Sequence, residues 1–66
     1  MNNLKILRKM HKLNQTEMAK MLNTNQTQYS RYERGDRELK ESQIVEICRH
    51  FSVSADFLLG LSDGEV

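Results

Sequence analysis

The side chains able to do chemistry in this chain fall into two groups. Cys48, His50 and His11 could bind a metal or act as nucleophile and base, while Gln26, Thr27, Ser30 and Arg31 form a polar row. The first group is poorly placed. Residues two apart on a helix point to nearly opposite faces, so Cys48 and His50 cannot share one metal ion, and His11 has no neighbour of its kind. A single cysteine excludes a disulfide framework and any multi-cysteine zinc site. Its helical spacing from Ile44 makes Cys48 a small core residue rather than a reactive thiol. No Ser/His/Asp set, no framed pair of carboxylates and no phosphate-binding glycine loop is present, so the sequence predicts no catalysis, no cofactor and no metal. The second group has a different use. Glutamine can pair bidentately with adenine and arginine with guanine, and threonine offers a hydroxyl and a methyl to thymine. The four residues stand at i, i+1, i+4 and i+5, on the helix face opposite Tyr29 and Tyr32. Such a row can equally be an ordinary solvated face, so its meaning depends on the element that carries it.

That element is a helix among helices. Leu4, Leu7 and Arg8 fall at i, i+3 and i+4; Met18, Ala19 and Leu22 repeat the pattern; Ile44, Ile47, Cys48 and Phe51 extend it. No stretch alternates with β-branched or aromatic enrichment, so the fold class is all-α. Asn14 followed by Glu17 reads as a capping box that opens a helix at Gln15, and Asn25 followed by Gln28 repeats the arrangement before Gln26. Asn23 tolerates the left-handed backbone of a helix stop, which ends the first of these helices near Leu22. The second runs from Gln26 to Arg34 and stops at Gly35. A further helix starts near Glu41 without a good cap. Ser54 caps a last short one, Ala55 to Leu59, with Asp56 in its first turn and Gly60 beyond its end. Two short helices joined by the turn Asn23 to Asn25 make a helix-turn-helix unit, which reads DNA by laying its second helix in the major groove.

Size and charge agree with a binding module. The 66 residues make a single domain, 1–66, with 38% apolar and 29% charged side chains and no proline. A chain this small can scarcely enclose a substrate. The longest apolar run, Phe57 to Leu61, is too short to span a bilayer, and no secretion signal follows Met1, which points to the cytoplasm. The net charge of +1 hides an asymmetry. Residues 1–37 hold eight bases against Glu17, Glu33 and Asp36, whereas residues 38–66 hold only Lys40 and Arg49 against six acids. A basic half attracts polyanions while the acidic half turns away from them.

The chain resembles the lambda-repressor-like helix-turn-helix family of phage repressors, Cro proteins and bacterial regulators. Four segments carry the likeness: Leu7-Arg8; Leu13-Asn14-Gln15 with Glu17, Met18 and Ala19; Tyr29 to Gly35; and Val53 to Gly60. The match spans about residues 3 to 61. It implies a five-helix bundle and sequence-specific operator binding, usually as a dimer, by a regulator that is most simply a repressor. It also implies an ion pair between Arg8 and Glu33 tying the first helix to the third, although Arg8 could also reach the DNA. Members often have glycine where this chain has Lys12 and Asn23, proline where it has Leu39, and a capping Ser or Thr where it has Lys40.

Phosphate contacts are expected from Gln15, at a helix N-terminus where free N–H groups favour an anion, and from Asn25, Arg34 and Arg37 beside the recognition helix. In the resembling family this glutamine grips the DNA backbone. Lys5, Lys9, Lys12 and Lys20 read as a general basic surface. Met1, Met10, Met18 and Met21 read as core fillers, with Ile6 and Met10 also forming a second apolar row. One small reader covers too few base pairs to find an operator in a genome, so a homodimer on double-stranded DNA is expected. Its contacts would come from Phe57, Leu58 and Leu61 in the less basic end, and the short tail 62–66 suggests a weak dimer. The competing reading is a protein-interaction module, antitoxin-like or anti-repressor, that uses Ile6/Met10 or Leu58/Leu61 on a protein partner.

Overall fold

A computed structural model describes residues 2–61; Met1 and the tail 62–66 lie outside the described residues. Five helices follow one another: α1 (Leu4–Met10), α2 (Gln15–Met21), α3 (Gln26–Arg34), α4 (Glu41–Phe51) and α5 (Ala55–Leu58). The described residues contain no strand. This is the five-helix, all-α bundle that the periodicity and the resemblance imply.

Local chemistry accounts for most of the boundaries. At α2 the Asn14 side chain accepts from the Glu17 N–H and the Glu17 carboxylate accepts from the Asn14 N–H, each at 2.8 Å. At α3 only half of the expected box forms. Asn25 accepts from the Gln28 N–H at 2.8 Å, but the Gln28 side chain is turned away and accepts from Arg37 at 3.2 Å. Asn23 and Gly35 take the left-handed backbone at φ 60° and 81°. So do Lys12, φ 57°, and Ser52, φ 56°, neither of which has a residue type suited to it. Ser54 caps α5, which ends one residue earlier than expected, at Leu58, with Gly60 at φ 79° beyond it.

The start of α4 has a tertiary explanation. Gln43 folds back so that its Oε1 accepts from the Lys40 N–H at 2.8 Å, while its Nε2 donates to the Tyr32 hydroxyl at 3.3 Å. Gln43 is buried, and it joins the cap of α4 to the core face of α3.

One core unites the helices: Leu4 and Leu7 of α1, Met18, Ala19 and Leu22 around α2, Tyr29 and Tyr32 of α3, Ile47 of α4 and Leu58 of α5. Leu58 is fully buried, which corrects the expectation that it lines a dimer or partner surface. It is the one residue of α5 that reaches the centre of so small a core. Phe57 packs partly against the same core, and among the described residues Leu61, 73% exposed, is the large apolar side chain left open to solvent at that end. Met10 is likewise no filler. At 64% exposure it stands with Ile6 on the outer face of α1, whereas Met18 is buried and Met21 packs on the core. Two asparagines close the bundle: Asn2 Nδ2 donates to the Tyr32 carbonyl and Asn3 Nδ2 to the Phe57 carbonyl, both at 2.7 Å.

Candidate nucleic-acid interface

The polar row of α3 is presented by the burial of its other face. With Tyr29 and Tyr32 held in the core, Gln26, Thr27 and Arg31 are turned to solvent and Ser30 is half-buried. The Ser30 hydroxyl accepts from the Arg34 guanidinium at 3.1 Å, which leaves its O–H and one lone pair for another partner. Asn25 and Gly35 fix the two ends of α3, so the row sits on a rigid rod rather than a loop.

Behind the row lies a chain of hydrogen bonds that crosses three helices. Glu33 is at its centre, with its side chain 5% exposed. Arg8 donates from Nε to Glu33 Oε2 at 2.6 Å and from Nη2 to Oε1 at 3.4 Å, and its Nη1 also donates to the Leu13 carbonyl at 3.1 Å. This is the ion pair that the resemblance implies. Gln15 donates to Glu33 Oε1 at 3.1 Å, and its own Oε1 accepts from Gln26 Nε2 at 2.5 Å. Burial by itself would raise the Glu33 carboxyl; the hydrogen bonds from Arg8 and Gln15, with the Arg8 charge, outweigh it and hold the group below its ordinary value. Burial, and then the neighbouring Glu33, push the Tyr29 phenol upward. Its hydroxyl is enclosed without a hydrogen-bond partner among the described residues.

A protein-family model described as helix-turn-helix matches residues 4–58, most of the chain. The chain belongs to the lambda-repressor-like helix-turn-helix family. Its members are DNA-binding regulators of transcription. Searches of curated proteins and of solved structures found no match.

In this helix-turn-helix domain the remaining candidates have distinct surroundings. Gln15 is the first residue of α2, beside the start of α3, so its side chain and the free N–H groups there share one surface with Gln26. The carbonyl oxygen of the Asn25 side chain accepts in its cap, and the Nδ2 amide group is the side-chain donor it can offer a phosphate. Arg34 pairs with Asp36 at 2.9 Å in an exposed bridge, and Arg37 is held by Gln28. Cys48 is partly buried against the core, and burial pushes its thiol up, as suits a structural residue. His11 and His50 flank Phe51 with ring centroids 4.5 and 4.8 Å away, an aromatic use for both. Among the described residues no three His, Cys, Asp or Glu side chains gather, and no helix is long and apolar enough to cross a membrane.

Nothing in the sequence marked the link from Glu33 through Gln15 to Gln26. Those bonds span 18 and 11 residues, and no local pattern encodes contacts at such separations.

Proposed function

We propose that this domain binds an operator sequence-specifically, with α3 in the major groove, and represses transcription by occupying that site. The observation that supports this best is the exposed row Gln26, Thr27 and Arg31, on a helix whose opposite face is locked into the core. Gln26 is also held by Gln15 at the N-terminus of α2, where a backbone phosphate is favoured. Gln26, Thr27, Ser30 and Arg31 then take the base-edge roles, and Gln15, Asn25, Arg34 and Arg37 the phosphate roles.

The longest dimension of the described domain is 31 Å, less than the roughly 34 Å of one DNA turn. Two copies on one face of a palindromic site are therefore part of the proposal, with half-sites about 10 base pairs apart. Leu61 and the exposed part of Phe57 are the apolar residues left for their contact.

Selection of bound duplexes from a random pool tests the reading. The wild-type domain should enrich one motif. Gln26→Ala or Thr27→Ala should lose about 1–3 kcal/mol on that motif and relax the preference at one position. An equal loss on unrelated duplex would show that these side chains do not read bases. The exposure of Ile6 and Met10, 54% and 64%, favours a protein partner on α1 as a second reading. A domain used only in that way would show no salt-dependent affinity for duplex DNA.

A further inference from the structure

Lys5, Arg8 and Lys9 lie at i, i+3 and i+4, on one face of α1. The middle residue fixes where that face points. Arg8 is bonded to Glu33 at 2.6 Å, so the stripe that carries the two lysines is turned toward α3 rather than away from it. The structure has an open concavity of about 610 Å³ at this junction, walled by Lys5, Arg8 and Lys9 on one side and by Gln26, Ser30, Glu33 and Arg34 on the other, with Gln15 beside them.

The concavity is cationic. Glu33 is its one carboxylate, almost wholly covered, and both of its oxygens are engaged by Arg8 and Gln15. Lys5 and Lys9 are exposed, and neither has a carboxylate within ion-pair distance among the described residues. Arg34 is tied to Asp36 in a bridge whose two side chains are each 60% exposed. Such a bridge contributes little and exchanges readily for a stronger anion. Three releasable cations therefore surround one hollow, which borders the two glutamines of the proposed reading surface.

We propose that this hollow is a phosphate seat in which Lys5 and Lys9 of α1, with Arg34 of α3, hold the backbone of the DNA strand that borders the groove occupied by α3. The proposal rests on the operator-binding reading above and enlarges the contact surface from the helix-turn-helix unit to α1. A diester phosphate suits the site because ammonium groups on flexible stems act as point charges and need no fixed approach angle. The anchored Arg8 meanwhile keeps the stripe in place.

The test measures affinity for a mixed-sequence duplex as a function of salt, for wild type, Lys5→Gln, Lys9→Gln, the double variant, and Arg49→Gln. The last removes one exposed charge from α4, away from the hollow. Each phosphate that is no longer neutralised should make the slope of log affinity against log salt shallower by about 0.9, so the double variant should be shallower by about 1.8. At low salt its binding should fall on the order of tenfold or more, its melting temperature should stay unchanged, and the motif it selects from a random pool should match that of wild type. Arg49→Gln should keep the wild-type slope. Lysine variants that behave like Arg49→Gln, while wild type binds the duplex, overturn the phosphate seat and leave the operator reading intact. Failure of wild type to bind any duplex overturns both.

Discussion

At the scale of single residues, Glu33 decides most. Its carboxylate receives Arg8 from α1 and Gln15 from α2, so one acid on α3 aligns the two helices in front of it. Removing it strands a guanidinium that is 13% exposed. Glu33→Ala should therefore cost about 2 kcal/mol, which lowers the Tm of DNA-free protein by roughly 10 °C. Arg8→Met with Glu33→Leu should recover much of that loss, and additive losses would argue against the pairing. The pH dependence has a definite sign. The folded Glu33 titrates below its ordinary 4.5, so its contribution is complete above that pH and is lost as pH falls through the depressed folded value. Thermal melts of Glu33→Gln should show a flatter acid limb than wild type below about pH 4.5; parallel limbs would mean that the carboxylate does not titrate in this way. Of this constellation the sequence alone showed the residue types. The Arg8–Glu33 contact came from family resemblance, and the buried Gln43 had no signal, because a glutamine on a helix is ordinarily a surface residue.

At the scale of elements, helix starts were more legible than helix stops. Asn14, Asn25 and Ser54 cap through side chains that bond to a backbone group three residues ahead, so the signal and its effect lie in the same short segment. Stops at Asn23, Gly35 and Gly60 were readable for the same reason. Ser52 was not, since serine gives no warning of a left-handed residue; the chain turns there because Val53 packs against the core. Lys12 has the same unfavourable backbone at φ 57° without glycine's freedom. Lys12→Gly should stabilise the domain by roughly 0.5 kcal/mol, the strain relieved exceeding the added chain entropy. Chemical denaturation would measure this, and a loss of stability would show that the Lys12 side chain contributes packing that outweighs the strain.

At the scale of the molecule, the question is which apolar residues the core consumes. Leu58→Ala should destabilise by about 2–5 kcal/mol, much of what a domain of this size possesses. Leu61→Ser, at an exposed position, should change stability by less than about 0.5 kcal/mol. On a palindromic duplex, sedimentation should find two wild-type copies, and Leu61→Ser should weaken entry of the second. A complex that stays one-to-one at saturation would end the dimer proposal. Sequence alone settled the all-α class, the three capped helix starts and the two-faced character of α3, because caps, periodicity and left-handed stops act over a few residues. Only the tertiary structure separated Leu58 from Leu61 and Met10 from Met18, since burial depends on which distant helix arrives opposite a side chain. The same holds for the hollow between α1 and α3. Lys5 and Lys9 read as scattered charge until the Arg8–Glu33 bond, 25 residues apart in sequence, turns their face of α1 toward α3.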